Sequence, residues 1–148
     1  MINFAFPVEV SRPVEEVFAY LTDPANLAEW QETDRVEQLT PGAIATGTRL
    51  REVRTVLGRR LESISEVSRY EPDRRFDLRI VSVLARVADR WTLEPIAGGT
   101  RLHFSTEGQA RTPFRPLERV IAVVLERRRR GHHARLKLAL ESRAAERD

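Results

Sequence analysis

The sequence predicts an α+β fold: an antiparallel sheet of seven strands, two short helices near the start and one long helix at the C-terminus. Three observations carry it. From residue 34 to 109 the chain reads as runs of about ten residues rich in Val, Ile, Leu, Thr and Arg, each closed by turn residues. After Pro113 and Pro116 apolar residues recur at helical spacing as far as Ala144. Between a first strand and the meander, Val14, Val17, Phe18 and Leu21, then Leu27 and Trp30, also fall at helical intervals.

The first strand covers residues 4 to 10, where Pro7 removes a ladder donor and so marks an edge or a bulge. Ser11 is the candidate cap of the next helix, with Pro13 in its first turn and Glu15 and Glu16 complementing the positive end of the dipole. That helix ends near Thr22, and Asp23-Pro24 starts the second. Six strands are expected at 34 to 40, 48 to 57, 60 to 70, 74 to 83, 87 to 95 and 100 to 109. Between them lie Pro41-Gly42 with Gly47, Gly58, Glu71-Pro72-Asp73, a weak break at Leu84 to Arg86, and Gly98-Gly99. Connections this short force antiparallel neighbours, with Gly58 and Gly98-Gly99 as hairpin turns. In the last helix the stripe is Leu117, Val120, Ile121, Val124, Leu125, Leu136, Ala139 and Leu140, on a rod of about 40 Å that spans the sheet.

Composition narrows the function classes. The 148 residues suit one domain over 1–148, and no linker, repeat or low-complexity tract divides them. With 41% hydrophobic and 32% charged residues the chain is too apolar for a disordered tail. It has no apolar run long enough to span a membrane, so no integral membrane association is expected. The N-terminus lacks a basic start followed by an apolar stretch, which points to the cytoplasm. The absence of cysteine excludes thiolate nucleophiles, disulfide scaffolds and zinc ribbons. His132 and His133 diverge by about 100° on a helix, so no metal is predicted, and no motif calls for a cofactor. The net charge of +3 comes almost wholly from arginine beside a lone lysine, Lys137. Arg127 to Arg130, with Arg119, Arg135 and Arg143, are interleaved with Glu118, Glu126 and Glu141 and lack stacking aromatics. They read as a solvated face, not a nucleic-acid site.

The element order, together with Arg12-Pro13-Val14-Glu15-Glu16-Val17-Phe18, Thr22-Asp23-Pro24, Leu27 to Trp30, Gly47-Thr48-Arg49-Leu50, Tyr70-Glu71-Pro72 and Gly98-Gly99-Thr100-Arg101-Leu102, resembles the SRPBCC superfamily. These are the START/Bet v 1-like proteins, and the likeness is to the polyketide cyclase/dehydrase and lipid-transport-like group. The resemblance covers nearly the whole chain and implies a helix-grip fold. In that fold a curved seven-stranded antiparallel sheet wraps the C-terminal helix around a cavity for a small hydrophobic or amphipathic ligand. A bent sheet and one straight helix cannot touch everywhere, so a concave pocket between them is also what packing predicts.

Candidate lining residues follow from alternation and helical phase. Continuing the face of Leu117, Ile121 and Val124 along the last helix reaches Arg128, Gly131, His132 and Arg135, so an apolar stripe turns cationic midway. Arg128 and His132 either orient a ligand's carbonyl, carboxylate or phenolate, with His132 titrating near neutral pH, or belong to a solvated stretch beyond the sheet. Placing Leu50 and Val56 inward carries Glu52 and Arg54 with them, Glu52 as a counter-ion, unless a bulge changes the register. Placing Trp91 inward does the same for Asp89, an internal partner for an arginine. Phe76, Leu78, Ile80, Trp91 and Phe104 share the inward face as core or ligand wall, and His103 falls on the outer one. Trp30 either closes a mouth of the cavity, as the resemblance implies, or anchors the core. Two functions remain open: binding a lipid- or polyketide-like molecule, and a cyclase or dehydratase in which His132 is the base and Arg128 steadies an enolate. A homodimer is compatible with either.

Overall fold

Period-two alternation places every second residue of each strand against one face, and in the computed structural model those faces join into a single sheet. Described are the backbone of residues 1–56 and 58–147 and the side chains of 1–56 and 58–143. The strands are β1 (Ile2–Val10), β2 (Arg35–Gln38), β3 (Arg49–Val56), β4 (Arg59–Glu71), β5 (Arg75–Ser82), β6 (Ala85–Ile96) and β7 (Gly99–Ala110). Their order is β1-β7-β6-β5-β4-β3-β2, antiparallel throughout, so β2 to β7 are successive hairpins and β1 closes beside β7. The expected spans agree to within a few residues; the proposed end of β3 at Leu57 lies outside the described residues.

Pro7 sits on the edge strand β1, and the register from Ile2 opposite Gly108 to Val10 opposite Thr100 is unbroken, so the edge accommodates it without a bulge. The break in register lies between Val67 and Arg69 of β4, where one extra residue bends the sheet toward its inner face. Gly108 on β7 allows a second close approach: a Cβ there would run into the Arg86 carbonyl and the backbone of Val87 on β6. Gly58 and Gly98 turn their hairpins with φ of 78° and 82°, values that L side chains rarely adopt.

The helices are α1 (Val14–Thr22), α2 (Leu27–Trp30) and α3 (Glu118–Arg147). Ser11 is not the cap of α1. Pro13 occupies that position without a side-chain bond, while the Ser11 N–H donates to Glu141 on α3 at 3.0 Å and ties the end of β1 to the far end of the rod. α1 and α2 bury Val17, Phe18, Leu21, Leu27 and Trp30 against the concave face. The core runs along β1, β7 and β6, where Phe6, Phe104 and Trp91 pack as tilted rings with successive centroids 5.0–5.3 Å apart. Each such ring buries on the order of 150–250 Å², so this row anchors the sheet.

α3 differs from its expected stripe. Leu136 and Leu140 are buried and Ile121, Leu125 and Ala139 half-buried as expected, but Leu117, Val120 and Val124 are exposed. The inward line is Leu125, Arg129, His132, His133, Leu136 and Leu140, rotated from the line through Val120 and Val124. Gly131 and Arg135 point to solvent, the latter paired with Glu32. Two pairings explain the phase: a buried carboxylate on β6 draws in Arg129, and an indole N–H on the same strand draws in His133. These partners outweigh the hydropathy of the first two turns, which lie where the sheet ends.

Candidate functional site

The inward positions of β3, β4, β5 and β6 are not all apolar, and the departures meet at one place. On β3 Leu50 and Glu52 are buried and Arg54 largely so, with Glu52 Oε2 accepting from Arg54 at 2.9 Å. The second partner of Arg54 is the side-chain oxygen of Gln31, just past α2. On β6 Asp89 has 0% of its surface exposed; Oδ1 accepts the Thr106 hydroxyl at 2.9 Å and Oδ2 meets Arg129 of α3 at 2.8 Å. Burial raises the Asp89 pKa against the pull of Arg129 and Thr106.

Between this polar row and the first turns of α3 lies a cavity of about 250 Å³. Its walls are mostly aliphatic: Val56 and Leu61 on one side, Leu84 and Val87 on another, Ile121 and Leu125 on the helix. Its inner end carries Arg54, Arg128 and Arg129. Three guanidinium groups thus face two carboxylates, Glu52 and Asp89, and Arg128 is the one without an ion pair among the described residues. Nε of Arg54 and of Arg129, Oγ of Ser65 and Nδ1 of His132 are buried without a hydrogen-bond partner. Unpaired donors in a dry interior cost free energy, so this end favours an acceptor of negative charge. By contrast, a wider cleft along the outer side of β2 and β3 is walled by solvated charges such as Arg35, Glu37, Arg51 and Glu62 and lacks an apolar floor.

The two histidines have separate roles. His133 Nε2 accepts the indole N–H of Trp91 at 2.9 Å, which makes Nδ1 the protonated nitrogen, 2.7 Å from the Arg129 carbonyl. Burial, helped by the charge of Arg129 and opposed by the bond to its carbonyl, favours the neutral ring, and its pKa falls to about 4. His132 is pushed down to about 2, first by burial and then by the charges of Arg129, Arg54 and Arg128. The expectation that His132 titrates near neutral pH is therefore corrected: its ring stays neutral because it is buried, and the neighbouring guanidiniums add to the effect.

Of the twelve residues singled out in the sequence, Arg54, Ile80, Val124 and Arg128 line the cavity. Glu52, Asp89 and His132 are buried in the polar row behind them. Phe76, Leu78, Trp91 and Phe104 are core, outside the lining set. Trp30 is core too, edge-on to His133 at 5.5 Å, and does not close the mouth. His103 is exposed on the outer face. The sequence reading passed over Arg129 and His133. The repeat Leu125, Arg129, His133, Leu136, Leu140 would have found them, had the buried half of the helix set its phase instead of the exposed first turns.

The profile of the family described as polyketide cyclase / dehydrase and lipid transport matches residues 1–141. No curated protein matches the sequence significantly. Among solved structures, the Zhui aromatase/cyclase from Streptomyces sp. R1128 is 18% identical over 96% of this chain and 94% of that one, with a TM-score of 0.83. Ara h 8.0201 is 15% identical over 95% and 97%, with a TM-score of 0.78. The di-domain ARO/CYC BexL from the BE-7585A biosynthetic pathway is 22% identical over 95% of this chain and 47% of its own, at 0.77. At these identities the likeness shows the fold alone.

Proposed function

The chain belongs to the polyketide cyclase / dehydrase and lipid transport family, and from that membership we propose that it binds a small amphipathic molecule, lipid- or polyketide-like, with its acidic or carbonyl group at Arg128 and its apolar part toward the mouth. The observation that carries this is the polarity gradient of one cavity: aliphatic walls leading inward to a guanidinium that has no anionic partner among the described residues. Size limits the occupant. At roughly 30 Å³ per water-sized unit, 250 Å³ holds about eight such units, so about eight carbons fill the cavity and a longer chain projects from it. Glu52 and Asp89 serve in this reading as counter-ions that hold Arg54 and Arg129 in place, and His132 as a neutral neighbour behind them. The same reading takes residues 1–148 as one domain working in the cytoplasm.

The alternative, a cyclase or dehydratase with His132 as base and Arg128 as enolate stabiliser, draws on the likeness to the Zhui aromatase/cyclase. Base strength counts against it. A ring pushed down to about 2 is a poor proton acceptor at neutral pH, whereas an effective general base lies near the working pH.

Calorimetric titration with decanoic acid and with decanol tests the binding reading. The acid should bind more tightly. Arg128→Leu should weaken it roughly 10- to 150-fold, the range of a charged hydrogen bond, and leave decanol and the melting temperature unchanged. Equal affinity for acid and alcohol in both proteins, or no binding of either, would overturn it.

A further inference from the structure

Antiparallel connectivity brings the β3–β4 turn, the β5–β6 turn and the end of β7 to one end of the sheet. α3 begins at that same end, where Glu118 accepts the Ala110 N–H at 2.9 Å and pairs with the amino group of Met1. The cavity opens here, since Val56, Leu61, Leu84, Val120 and Val124 are among its walls. So do four aliphatic side chains that project into solvent: Val83 is 56% exposed, Leu117 53%, Val120 60% and Val123 54%. On α3, Val120, Val123, Val124 and Arg127 fall within one sector at 100° per residue, turned away from Leu125, Arg129 and Leu136.

Free cationic charge accompanies these apolar tips. Arg59, Arg86, Arg115, Arg119 and Arg127 at or near this end carry no ion pair among the described residues. Toward the opposite end Arg101 is matched by Glu9 and Glu94, Arg135 by Glu32 and Arg143 by Glu29, whereas Arg49 and Arg74 carry no ion pair among the described residues. Five free guanidinium groups thus surround the apolar rim at this end.

We propose that this end of the molecule docks on an anionic lipid surface, with the exposed aliphatic tips entering the headgroup layer and the unpaired arginines resting on lipid phosphates. Isolated tips on turns and one helical sector have no shared concavity for a protein partner to fill, whereas a fluid interface accepts them singly. A second copy on the same face would set arginine against arginine. Weak apolar insertion combined with basic attraction is the two-signal arrangement that gives reversible binding, and docking in this pose points the cavity mouth at the bilayer.

Cosedimentation with vesicles, without added ligand, tests this separately from the cavity reading. The protein should pellet with equal parts of phosphatidylcholine and phosphatidylglycerol, stay in solution with phosphatidylcholine alone, and be released by high salt. Arg86→Ser and Arg119→Ser should each lower partitioning about fivefold. The double variant Val83→Asp with Val123→Asp, at positions outside the cavity walls, should abolish it while keeping the wild-type melting temperature and decanoic acid affinity. No binding to the mixed vesicles, equal binding to both kinds, or full binding by the double variant would overturn the proposal. Elution of the wild type as a dimer that the double variant converts to a monomer would assign the face to a second copy and overturn it as well.

Discussion

Replacing Asp89 by Ala is expected to remove about 3–5 kcal/mol of folding stability, enough to leave a chain of ordinary stability close to unfolded. Asp89 is fully buried, and the guanidinium it meets, Arg129, is itself only 3% exposed. Without the carboxylate, that cation stays in the interior with Nε already lacking a partner, and the Thr106 hydroxyl loses its acceptor. The loss comes from stranding a charge, not from the net worth of the pair. Asp89→Leu combined with Arg129→Met should therefore recover most of it, because an apolar pair of similar volume is often neutral or better. Urea unfolding of the three proteins measures both effects. A single variant within about 1 kcal/mol of wild type would mean that water reaches Arg129 and that the row is not dry.

Acid should destabilise the fold well above the range in which carboxylates titrate. The folded chain holds His132 at about 2 and His133 at about 4, both below the ordinary value of 6.5. Below pH 6.5 the unfolded chain binds protons that the folded one refuses. The stabilisation is thus complete above pH 6.5 and declines as the pH falls toward 4. Each histidine contributes a slope of about 1.4 kcal/mol per pH unit, so the two remove on the order of 4 kcal/mol by pH 5. Asp89, raised by burial, acts in the opposite direction and is separated by mutation. His132→Gln should flatten the plot of stability against pH by one histidine's slope, and His132→Gln with His133→Gln by two. Superimposable plots for wild type and both variants would show that the rings are not held neutral. The cause at His133 is specific: protonating Nε2 breaks the bond from Trp91.

The fold was legible because each element has a local signature that its neighbours reinforce. Gly58 and Gly98 turn their hairpins at positive φ, Pro7 lies on an edge, and Leu50, Glu52 and Arg54 alternate inward as a pair of apolar anchors in the same strand requires. Asp89 could be assigned to the inner face from the phase of Trp91 alone. The phase of α3 could not be read in this way. Its first turns are aliphatic yet exposed, and its buried middle holds Arg129, His132 and His133, which hydropathy assigns to the surface. Only the partners on β6, thirty or more residues away in the chain, show why those residues turn inward. The cap of α1 was missed for a related reason: the Ser11 N–H answers to Glu141, a residue that no local window contains.

An amphiphile lodged between the sheet and the first half of α3 would touch side chains from both. Isotope-filtered nuclear Overhauser spectroscopy of decanoic acid bound to the labelled protein tests it most directly. Contacts from the decanoate methylenes to the methyl groups of Ile80, Leu84, Ile121 and Val124 are predicted, with a shift of the Arg128 Nε resonance on binding. Contacts confined to outward side chains such as Val81 and Leu138, with the Arg128 signal unmoved, would contradict it.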